Sequence, residues 1–547
     1  MLPPVAIRTP DPYNPDAMRQ VQQNCVTELS LKSDKQRADP FNEVQLDVVF
    51  TDPDGEERVV PGFWGGGTNW RVRYASPKRG VHRYQTRSSD STDAGLHGQE
   101  GTLEVVPYEG SNPLTQHGRI RVAADMRHLE HQDGTPFFWL GDTWWFGLAS
   151  RLTWPGGFQR LTADRVAKGF TLVQIVAGLY PDVYQFDKRG ANEGGFPWTE
   201  GYKAINPAYF DAADLRFEWL VRSGIVPCIV GAWGFYIRYL GPEGMKKHWR
   251  NLVARYGAYP VAWCVAGEAV MHFYTENFGP DHEARAREGW TDVTRYLRSI
   301  DPYHNPITVH PTGPDSRAMV NDASLLDVDM LQTGHSQLAA EHTVRAVAQC
   351  IAAEPPLPVV NGEVMYEGIM GACWQDMQRF CFWTSMLSGS AGHTYGANGI
   401  WQMSTPEEPC VAISGSWGDT TWEEASHLPG SAHVGVGKRL LERYEWRRFQ
   451  PRREPEWDES ERILPFAAGI PGVVWVMYLP SDGMERKFHG YMGKSFRVEP
   501  GARYRAAFIN PRTGAEITVG PVQPGPDGTW RVPQKPSRED WVLALEA

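Results

Sequence analysis

The stretch VAWCVAGEAV (261–270) is a short apolar run that ends in a lone carboxylate, Glu268. A second stretch, PPLPVVNGEVMYEG (355–368), has the same form and ends its apolar run at Glu363. Short apolar runs bounded by turn signals are typical of buried parallel strands. Each run is followed by a segment whose pattern indicates a loop leading into a helix. The two stretches therefore predict two barrel strands, each with an acid at the C-terminal end, where barrel enzymes carry their active sites.

Strand and helix patterns alternate from about residue 137 to residue 450. The predicted strands are FFWLGDTWW (137–145), TLVQIVAG (171–178), IVPCIVGAWG (225–234), VAWCVAGE (261–268), PITVHP (306–311), LDVDMLQTGH (326–335), LPVVNGE (357–363) and AGHTYGANGI (391–400). Helical spacing of apolar residues marks AYFDAADLRFEWLVRSG, EGMKKHWRNLVARYG and EHTVRAVAQCIAAE, and the final helix is expected within SAHVGVGKRLLERYEWRRF. Eight such strands with their connections predict an α/β protein with a (β/α)8 TIM barrel.

Short alternating segments flank the barrel on both sides. Strand patterns separated by turn signals predict an N-terminal Ig-like antiparallel β-sandwich at 1–110, and similar patterns predict a C-terminal β-sandwich at 451–547. The catalytic barrel is expected at 111–450. The segment GRIRVAADMRHLEHQDGTPFFWLGDT predicts a hairpin that leads into its first strand.

The amino-acid composition limits the classes of partner that are expected. Asp and Glu number 65 against 54 Lys and Arg, so neither a nucleic acid nor an anionic membrane is expected as a partner. The aromatic content is 12%, with 22 Trp, which suits stacking on sugar rings and equally suits packing within large β-rich proteins. A small carbohydrate or glycoside is the predicted partner, and a homo-oligomer is left open.

The seven cysteines show no CxxC or Cys/His spacing and are interpreted as reduced core residues. The opening MLPPVAIRTPDPYNP has neither a basic nor an apolar segment of the secretory type, and no run of 18 apolar residues occurs. A cytoplasmic protein without a membrane span is the resulting expectation.

Breaking a glycosidic bond needs a protonated acid at the leaving oxygen and an ionised carboxylate near the anomeric carbon. Glu268 and Glu363, on strands four and seven, can face each other across a barrel mouth and are the predicted catalytic pair. Polar and aromatic residues at or just past the strand ends are the predicted substrate-binding set. They are Asp142, Trp144, Trp145, Gln174, Trp233, His310, Gln332, His335, Tyr366, His393, Tyr395 and Trp401.

Several of these residues could equally have ordinary structural roles. Glu268 could pair with an arginine near the mouth, and Asp142, preceded by a glycine, could cap the next turn. The histidines could contact hydroxyls or be satisfied core residues. His310, His335 and Tyr366 are also candidate donors that would keep Glu363 ionised.

Two other classes of function stay open. A metal-dependent barrel hydrolase usually clusters its ligands, but no His-x-His closes the first strand here, and His128 and His131 precede that strand. No metal and no other cofactor is therefore predicted. A carbohydrate-binding protein on an inactive barrel would bind sugars without turnover, even after loss of either glutamate.

The stretch PFFWLGDTWWFGLASRLTWPGGFQRLTADRVAKGFTLVQIVAGLYPD (136–182) resembles the start of the apiosidase-like barrel family, domain of unknown function 4038. VVNGEVMYEG is similar to the seventh-strand signature of that family, a Gly-Glu followed by an aromatic–acid pair. The preceding sandwich resembles domain of unknown function 5060, and the C-terminal β domain is similar to an accessory domain often found after such barrels.

The resemblance implies a retaining mechanism similar to that of clan A glycosidases, with Glu268 as acid/base and Glu363 as nucleophile. The glutamate pair, the Trp-rich mouth and the lack of a visible export signal, which favours small imported substrates over polymers, together predict an exo-acting enzyme on short glycosides or plant-derived oligosaccharides. This sequence has Gly267 where the clan usually has Asn, and Glu268 where characterised family members carry Asp. The loop DVYQFDKRGANEGGFPWTEGYKA (182–204) is a further candidate for a lid or part of the sugar site.

Overall fold

The computed structural model describes residues 19–272, 278–313, 315–409, 417–452, 466–481 and 495–547. Expectations for the N-terminal leader, for the proline- and charge-rich segment after Arg452 and for Cys410 fall outside these residues. No helix in the described part of the chain is both long and apolar enough to cross a bilayer.

The N-terminal unit consists of two packed sheets. Its strands are β1 (Arg19–Gln22), β2 (Thr27–Lys32), β3 (Leu46–Thr51), β4 (Glu57–Pro61), β5 (Phe63–Trp64), β6 (Asn69–Tyr74), β7 (Gly80–Ser88) and β8 (Glu100–Val106), with the short helices α1 (Pro40–Glu43) and α2 (Pro113–Gln116). One sheet has the order β1-β8-β7-β3-β4 and the other β2-β6-β5. Alternation in β3 and β6 buries Val48, Phe50 and Trp70 between the sheets, as the sequence pattern predicts.

A small antiparallel sheet joins this unit to the barrel. Its strands are β9 (Ile120–Val122), β10 (Leu129–His131) and β11 (Pro136–Phe137). The turn between β10 and β11 is closed by a hydrogen bond from the His131 N–H to the Thr135 carbonyl at 2.7 Å, and Gly134 supplies the positive φ of 90° that this turn requires.

Eight parallel strands form the barrel, which confirms the predicted fold class. They are β12 (Trp139–Thr143), β13 (Leu172–Val176), β14 (Val226–Val230), β15 (Ala262–Cys264), β16 (Ile307–Thr308), β17 (Asp329–Gln332), β18 (Val359–Glu363) and β19 (Gly392–Tyr395). Ladder pairing runs in the order β16-β15-β14-β13-β12-β19-β18-β17. Hydrogen bonds at the remaining seam, such as that from the Asp327 N–H to the Ile307 carbonyl at 2.8 Å, close the ring.

Helices surround these strands and cover their outer faces. They are α3 (Gly156–Lys168), α4 (Pro207–Arg222), α5 (Ile237–Tyr256), α6 (His282–Ile300), α7 (Ala340–Ile351), α8 (Gln375–Leu387), α9 (Trp422–Ser426) and α10 (Pro429–Leu441). The last of these begins two residues before the predicted stretch, because Pro429 suits the first turn of a helix. In the described part of the segment between β16 and β17 there are 3-10 turns instead of an α-helix.

The C-terminal unit is antiparallel, with strands β20 (Gln450–Arg452), β21 (Phe466–Ile470), β22 (Val474–Leu479), β23 (Ser495–Arg497), β24 (Arg505–Ile509), β25 (Glu516–Pro521), β26 (Thr529–Arg531) and β27 (Trp541–Glu546). Its larger sheet packs against α8, and the buried guanidinium of Arg379 bonds the Asp540 carboxylate at 2.7 Å. On the opposite side Tyr303 of the barrel joins the hydrophobic cluster of the N-terminal sandwich. Since apolar clusters cross both junctions, the domain boundaries at about 110 and 450 stay a prediction.

Candidate active site

The barrel brings Glu268 and Glu363 to the same mouth. Glu363 is the last residue of β18, the seventh barrel strand, and Glu268 comes four residues after the end of β15, the fourth. Both lie at the C-terminal side of the sheet, where the loops that shape barrel active sites begin. Both are buried, with only 6% of Glu268 and 3% of Glu363 exposed.

Close packing of Trp233 explains why this chain has Gly267 in place of the Asn of the Asn-Glu pair at strand four. The Trp233 ring lies against the backbone of Gly267, where a Cβ would come within 2.2 Å of its Cε3 atom. An asparagine therefore does not fit while Trp233 occupies this place. Glu268 itself has a φ of 44°, an uncommon backbone conformation for a non-glycine residue. The tight turn aims its side chain back towards the barrel axis, where Trp233 Nε1 lies 3.3 Å from Glu268 Oε2.

Close packing also dictates the glycine before Glu363. A Cβ on Gly362 would approach Met330 Cγ within 2.4 Å, so β17 and β18 need a glycine at this point to pack closely. The register between these strands shifts after Leu331, which pairs Gln332 with Glu363. That shift places the Gln332 amide beside the carboxylate.

One amide nitrogen links the two carboxylates. Gln332 Nε2 donates to Glu268 Oε1 at 2.9 Å and to Glu363 Oε1 at 3.1 Å. The two Oε1 atoms are therefore at most the sum of those lengths, 6.0 Å, apart. Gln332 therefore holds the two carboxylates beside the same space, and the arrangement does not need a direct contact between them.

Glu363 is surrounded by donors. His310 Nε2 lies 3.0 Å from Oε2, and His335 Nε2 lies 3.1 Å from Oε1, which also accepts from Gln332. Burial alone raises the pKa of Glu363, but the hydrogen bonds and charges of His310 and His335 outweigh it and lower the pKa below its ordinary value. The same contact raises the pKa of His335 against the effect of its own burial.

Glu268 is shifted in the opposite direction. Its burial, reinforced by the negative charge of Glu363, raises the pKa of Glu268 above its ordinary value. Two carboxyl groups with pKa values pushed apart can serve as a proton donor and an ionised partner at the same pH. This is the division of labour that glycosidic bond cleavage needs.

The pair opens into a cavity of about 240 Å³ with a largely aromatic wall. Its lining is Trp145, Pro181, Asp182, Trp233, Glu268, Met271, His335, Glu363, Tyr366, Ile369, Trp401 and Trp417. The Trp145 indole N–H donates to the Tyr366 hydroxyl at 3.0 Å, and the Tyr366 and Trp401 rings stack with their centroids 5.9 Å apart. Flat apolar faces beside acids are suited to binding a sugar ring.

The structure thus gathers seven predicted binding residues around the pair. Trp145, Trp233, His335, Tyr366 and Trp401 line the cavity, and His310 and Gln332 contact its carboxylates from behind. The other five residues do not line the cavity, and no sugar-binding role is proposed for them. They are Asp142, Trp144, Gln174, His393 and Tyr395.

Those five have local partners instead. The buried Asp142 carboxylate accepts from Arg165 Nε and from Trp144 Nε1, each at 2.6 Å, and Gln174 Nε2 donates to the Gly362 carbonyl at 2.7 Å. Tyr395 donates to Glu367 at 2.6 Å. The His393 ring packs on Phe382 of α8, and burial lowers the pKa of this histidine to about 3. Asp142 and His393 thus contact helices, Gln174 bonds another strand, and Tyr395 bonds the segment after β18.

Asp142→Ala is therefore expected to destabilise the fold by about 3–5 kcal/mol, because it leaves the fully buried Arg165 without its main counter-charge. Asp164→Asn is the matched control, since Asp164 also pairs with Arg165 but is partly exposed; we expect it to cost about 1 kcal/mol or less. Urea unfolding measures both. Equal losses in the two variants would contradict the assignment of Asp142 to barrel packing.

Sequence reasoning missed part of the cavity. Asp182, Trp417, Met271 and Ile369 line it, and none is among the predicted site residues. Asp182 is the first residue of the loop 182–204, which the sequence marks as a candidate part of the sugar site. Its position as a polar residue soon after a strand end is the signal that could have identified it. The remainder of that loop folds onto itself, with a bridge between Trp198 and Ile205.

Sequence comparison identifies two families. Residues 123–448 match the apiosidase-like catalytic domain, and residues 20–89 match the domain of unknown function DUF5060. No curated protein is significantly similar in sequence.

Solved structures share the fold at low identity. A glycoside hydrolase family 5 protein from Bacteroides vulgatus ATCC 8482 is 22% identical, covers 80% of this chain and 94% of its own, and superimposes with a TM-score of 0.65. A candidate glycoside hydrolase from the same strain is 18% identical, covers 96% and 99% of the two chains, and has a TM-score of 0.70. The second match extends over nearly the whole chain, flanking sandwiches included.

Proposed function

Because the chain belongs to the apiosidase-like family of glycoside hydrolases, we propose that its cavity cleaves glycosides by a retaining mechanism, with Glu363 as nucleophile and Glu268 as acid/base. One observation carries the proposal: a single amide nitrogen, Gln332 Nε2, bonds two carboxylates whose pKa values are shifted in opposite directions. Glu363 stays ionised beside its histidines while Glu268 holds a proton.

The separation of the carboxylates supports retention. An amide nitrogen directs its two hydrogens apart, which sets the bonded Oε1 atoms about 5 Å from each other, close to the spacing of retaining enzymes and below the about 6.5–9.5 Å of inverting ones. In the first step Glu363 attacks the anomeric carbon, and the leaving oxygen takes the Glu268 proton. In the second step Glu268 removes a proton from water, which displaces Glu363 with the original configuration restored.

The size of the cavity supports exo action. Its volume of about 240 Å³ lies below the range of about 300–1,000 Å³ that is typical of sites for larger ligands. We therefore assign it one sugar ring at the end of a short glycoside. Since the family pattern has Asp where this chain has Glu268, apiose is one candidate among pentofuranosides, pentopyranosides and hexosides.

The pH dependence of kcat/KM should be a bell. The acid limb follows Glu363: activity is lost as the pH falls through a pKa held below its ordinary value. The basic limb follows Glu268, whose pKa is raised: activity is lost as the pH rises through it and the acid loses its proton. Rates over a pH series in the Glu268→Gln variant are expected to lack the basic limb. An unchanged basic limb there would contradict the role of Glu268 as acid.

A panel of aryl glycosides, α and β, furanosides and pyranosides with β-apioside included, tests the function as a whole. We expect turnover of at least one member that is unchanged by EDTA and lost in both glutamate variants. Loss of activity with EDTA would favour a metal-dependent hydrolase. Sugar binding without turnover, retained in both variants, would favour a carbohydrate-binding protein.

A further inference from the structure

A third carboxyl group faces the catalytic pair. Asp182 follows Pro181 in the loop after β13, and both residues line the cavity with Glu268 and Glu363. Its backbone has a φ of 53°, a left-handed conformation that aspartate adopts more readily than most other non-glycine residues. Its half-buried carboxyl group thus belongs to the same cavity lining as the two glutamates.

The charges around Asp182 are those of the site itself. Burial, then the negative charges of Glu268 and Glu363, raise the pKa of Asp182 to about 7, against the opposing effect of His335 and Arg189. Arg189 forms a two-pronged pair with Asp187, through Nε at 3.0 Å and Nη2 at 2.7 Å. Its positive charge is therefore already shared with another carboxylate.

The cavity has an acidic lining with one basic side chain, His335, which is already bonded to Glu363. Three carboxyl groups and one histidine face it, and its lining within the described residues contains no Lys or Arg. In the same part of the chain the indole N–H of Trp401, a lining residue only 4% exposed, has no protein acceptor. A buried indole donor and a half-buried carboxylate acceptor that line one sugar-sized space are suited to binding hydroxyl groups.

We propose that Asp182 binds ring hydroxyls of the sugar in this cavity and makes the site selective for neutral sugars over anionic ones such as uronic acids. This inference rests on the proposed glycosidase function. A carboxylate accepts two hydroxyl hydrogens at once, which positions a vicinal diol. A second carboxylate on the sugar would meet Asp182 and Glu363, and the one basic group in the lining, His335, is already paired with Glu363, so binding of uronides is opposed.

Matched substrate pairs test the proposal. Aryl glucosides and galactosides are compared with the corresponding glucuronides and galacturonides, together with pentosides as neutral references. We expect the wild type to hydrolyse neutral members with a kcat/KM at least about 100-fold above that of the uronides. Equal or better turnover of a uronide would overturn the selectivity while leaving the glycosidase function intact. No turnover of any member would contradict the proposed function itself.

Asp182→Asn isolates the residue. We expect kcat/KM on neutral substrates to fall about 10- to 100-fold. The ratio of kcat/KM on neutral substrates to kcat/KM on uronides should decrease by about tenfold. Glu200→Gln is the matched control: it makes the same carboxylate-to-amide change on an exposed residue of the same loop, outside the cavity lining. It should leave both quantities unchanged. An unchanged ratio in Asp182→Asn would overturn the role of this residue.

The pH dependence of that ratio gives a second readout, independent of folding losses. Ionisations of Glu268 and Glu363 affect both substrates of a pair, so much of their effect cancels in the ratio. Discrimination in the wild type should increase as the pH rises through about 7, where Asp182 gains its charge beside His335 and Arg189. In Asp182→Asn the rise should be smaller, leaving only the part due to the loss of charge on His335. The same rise in both proteins would contradict the proposal.

Discussion

Glu363→Gln should lower kcat/KM on any glycoside that the wild type hydrolyses by on the order of 10⁴-fold or more. The amide is a poor nucleophile and cannot carry the negative charge that His310 and His335 surround. No other carboxylate holds that position in the described cavity lining: Asp182 lies on the loop after the second strand, and Glu268 is the proposed acid. Rates with an aryl glycoside measure the loss.

Glu367→Gln is the matched control for this prediction. Glu367 lies four residues after Glu363 and is also buried. Its carboxylate accepts from Tyr395 and from the Gly430 N–H at the start of α10, and it does not line the cavity. It should change stability more than the rate of the folded enzyme. A kcat/KM for Glu363→Gln within about tenfold of wild type would contradict the role of Glu363 as nucleophile.

Glu268→Gln should have an effect that depends on the leaving group. For alkyl or sugar leaving groups, which need a proton, we expect glycosyl transfer to slow by about 10²- to 10⁴-fold. For dinitrophenyl glycosides, whose leaving group departs as a stable anion, the first step should change little and the glycosyl-enzyme should accumulate. Pre-steady-state bursts of dinitrophenolate, set against steady-state rates on a methyl glycoside, measure the difference.

Added azide distinguishes the two variants further. In Glu268→Ala azide can attack the glycosyl-enzyme without a general base, and the product is a glycosyl azide of retained configuration. In Glu363→Ala azide replaces the nucleophile in a single displacement and gives the inverted azide. Equal slowing of every substrate in Glu268→Gln, together with no azide effect in Glu268→Ala, would contradict the assignment of Glu268 as acid/base.

The barrel and its two acids could be predicted because the same physical feature marks both. A fully apolar run that ends in a lone Glu places a charge at the edge of a core, which is costly unless that charge has a partner or a task. Glu268 and Glu363 indeed come to one mouth. Gln332 and His335 could be found by the same rule, since they close the sixth strand. The two hydrogen bonds from the Gln332 amide to the glutamates depend on the register shift after Leu331, and no local sequence pattern predicts that shift.

Three of the predicted binding residues that lie outside the cavity share a physical cause. Strands of a barrel are buried on both faces, so the sequence does not say which alternate side chains face the axis and which face the helices. Asp142, His393 and Tyr395 are on the helix side, where Arg165, Phe382 and Glu367 meet them. Asp182 was missed for the opposite reason: it lies six residues beyond β13, and only the course of the loop returns it to the mouth.

The central claim is that Glu363 forms a covalent bond with the sugar. Its most direct test is to incubate the enzyme with the 2-deoxy-2-fluoro dinitrophenyl derivative of the glycoside that the panel identifies, which slows the second step, and to map the labelled peptide by mass spectrometry. We predict one added fluorosugar per chain, on Glu363, released by a competing acceptor. A label on Glu268 or Asp182, or an unlabelled enzyme that yields inverted product, would contradict the account.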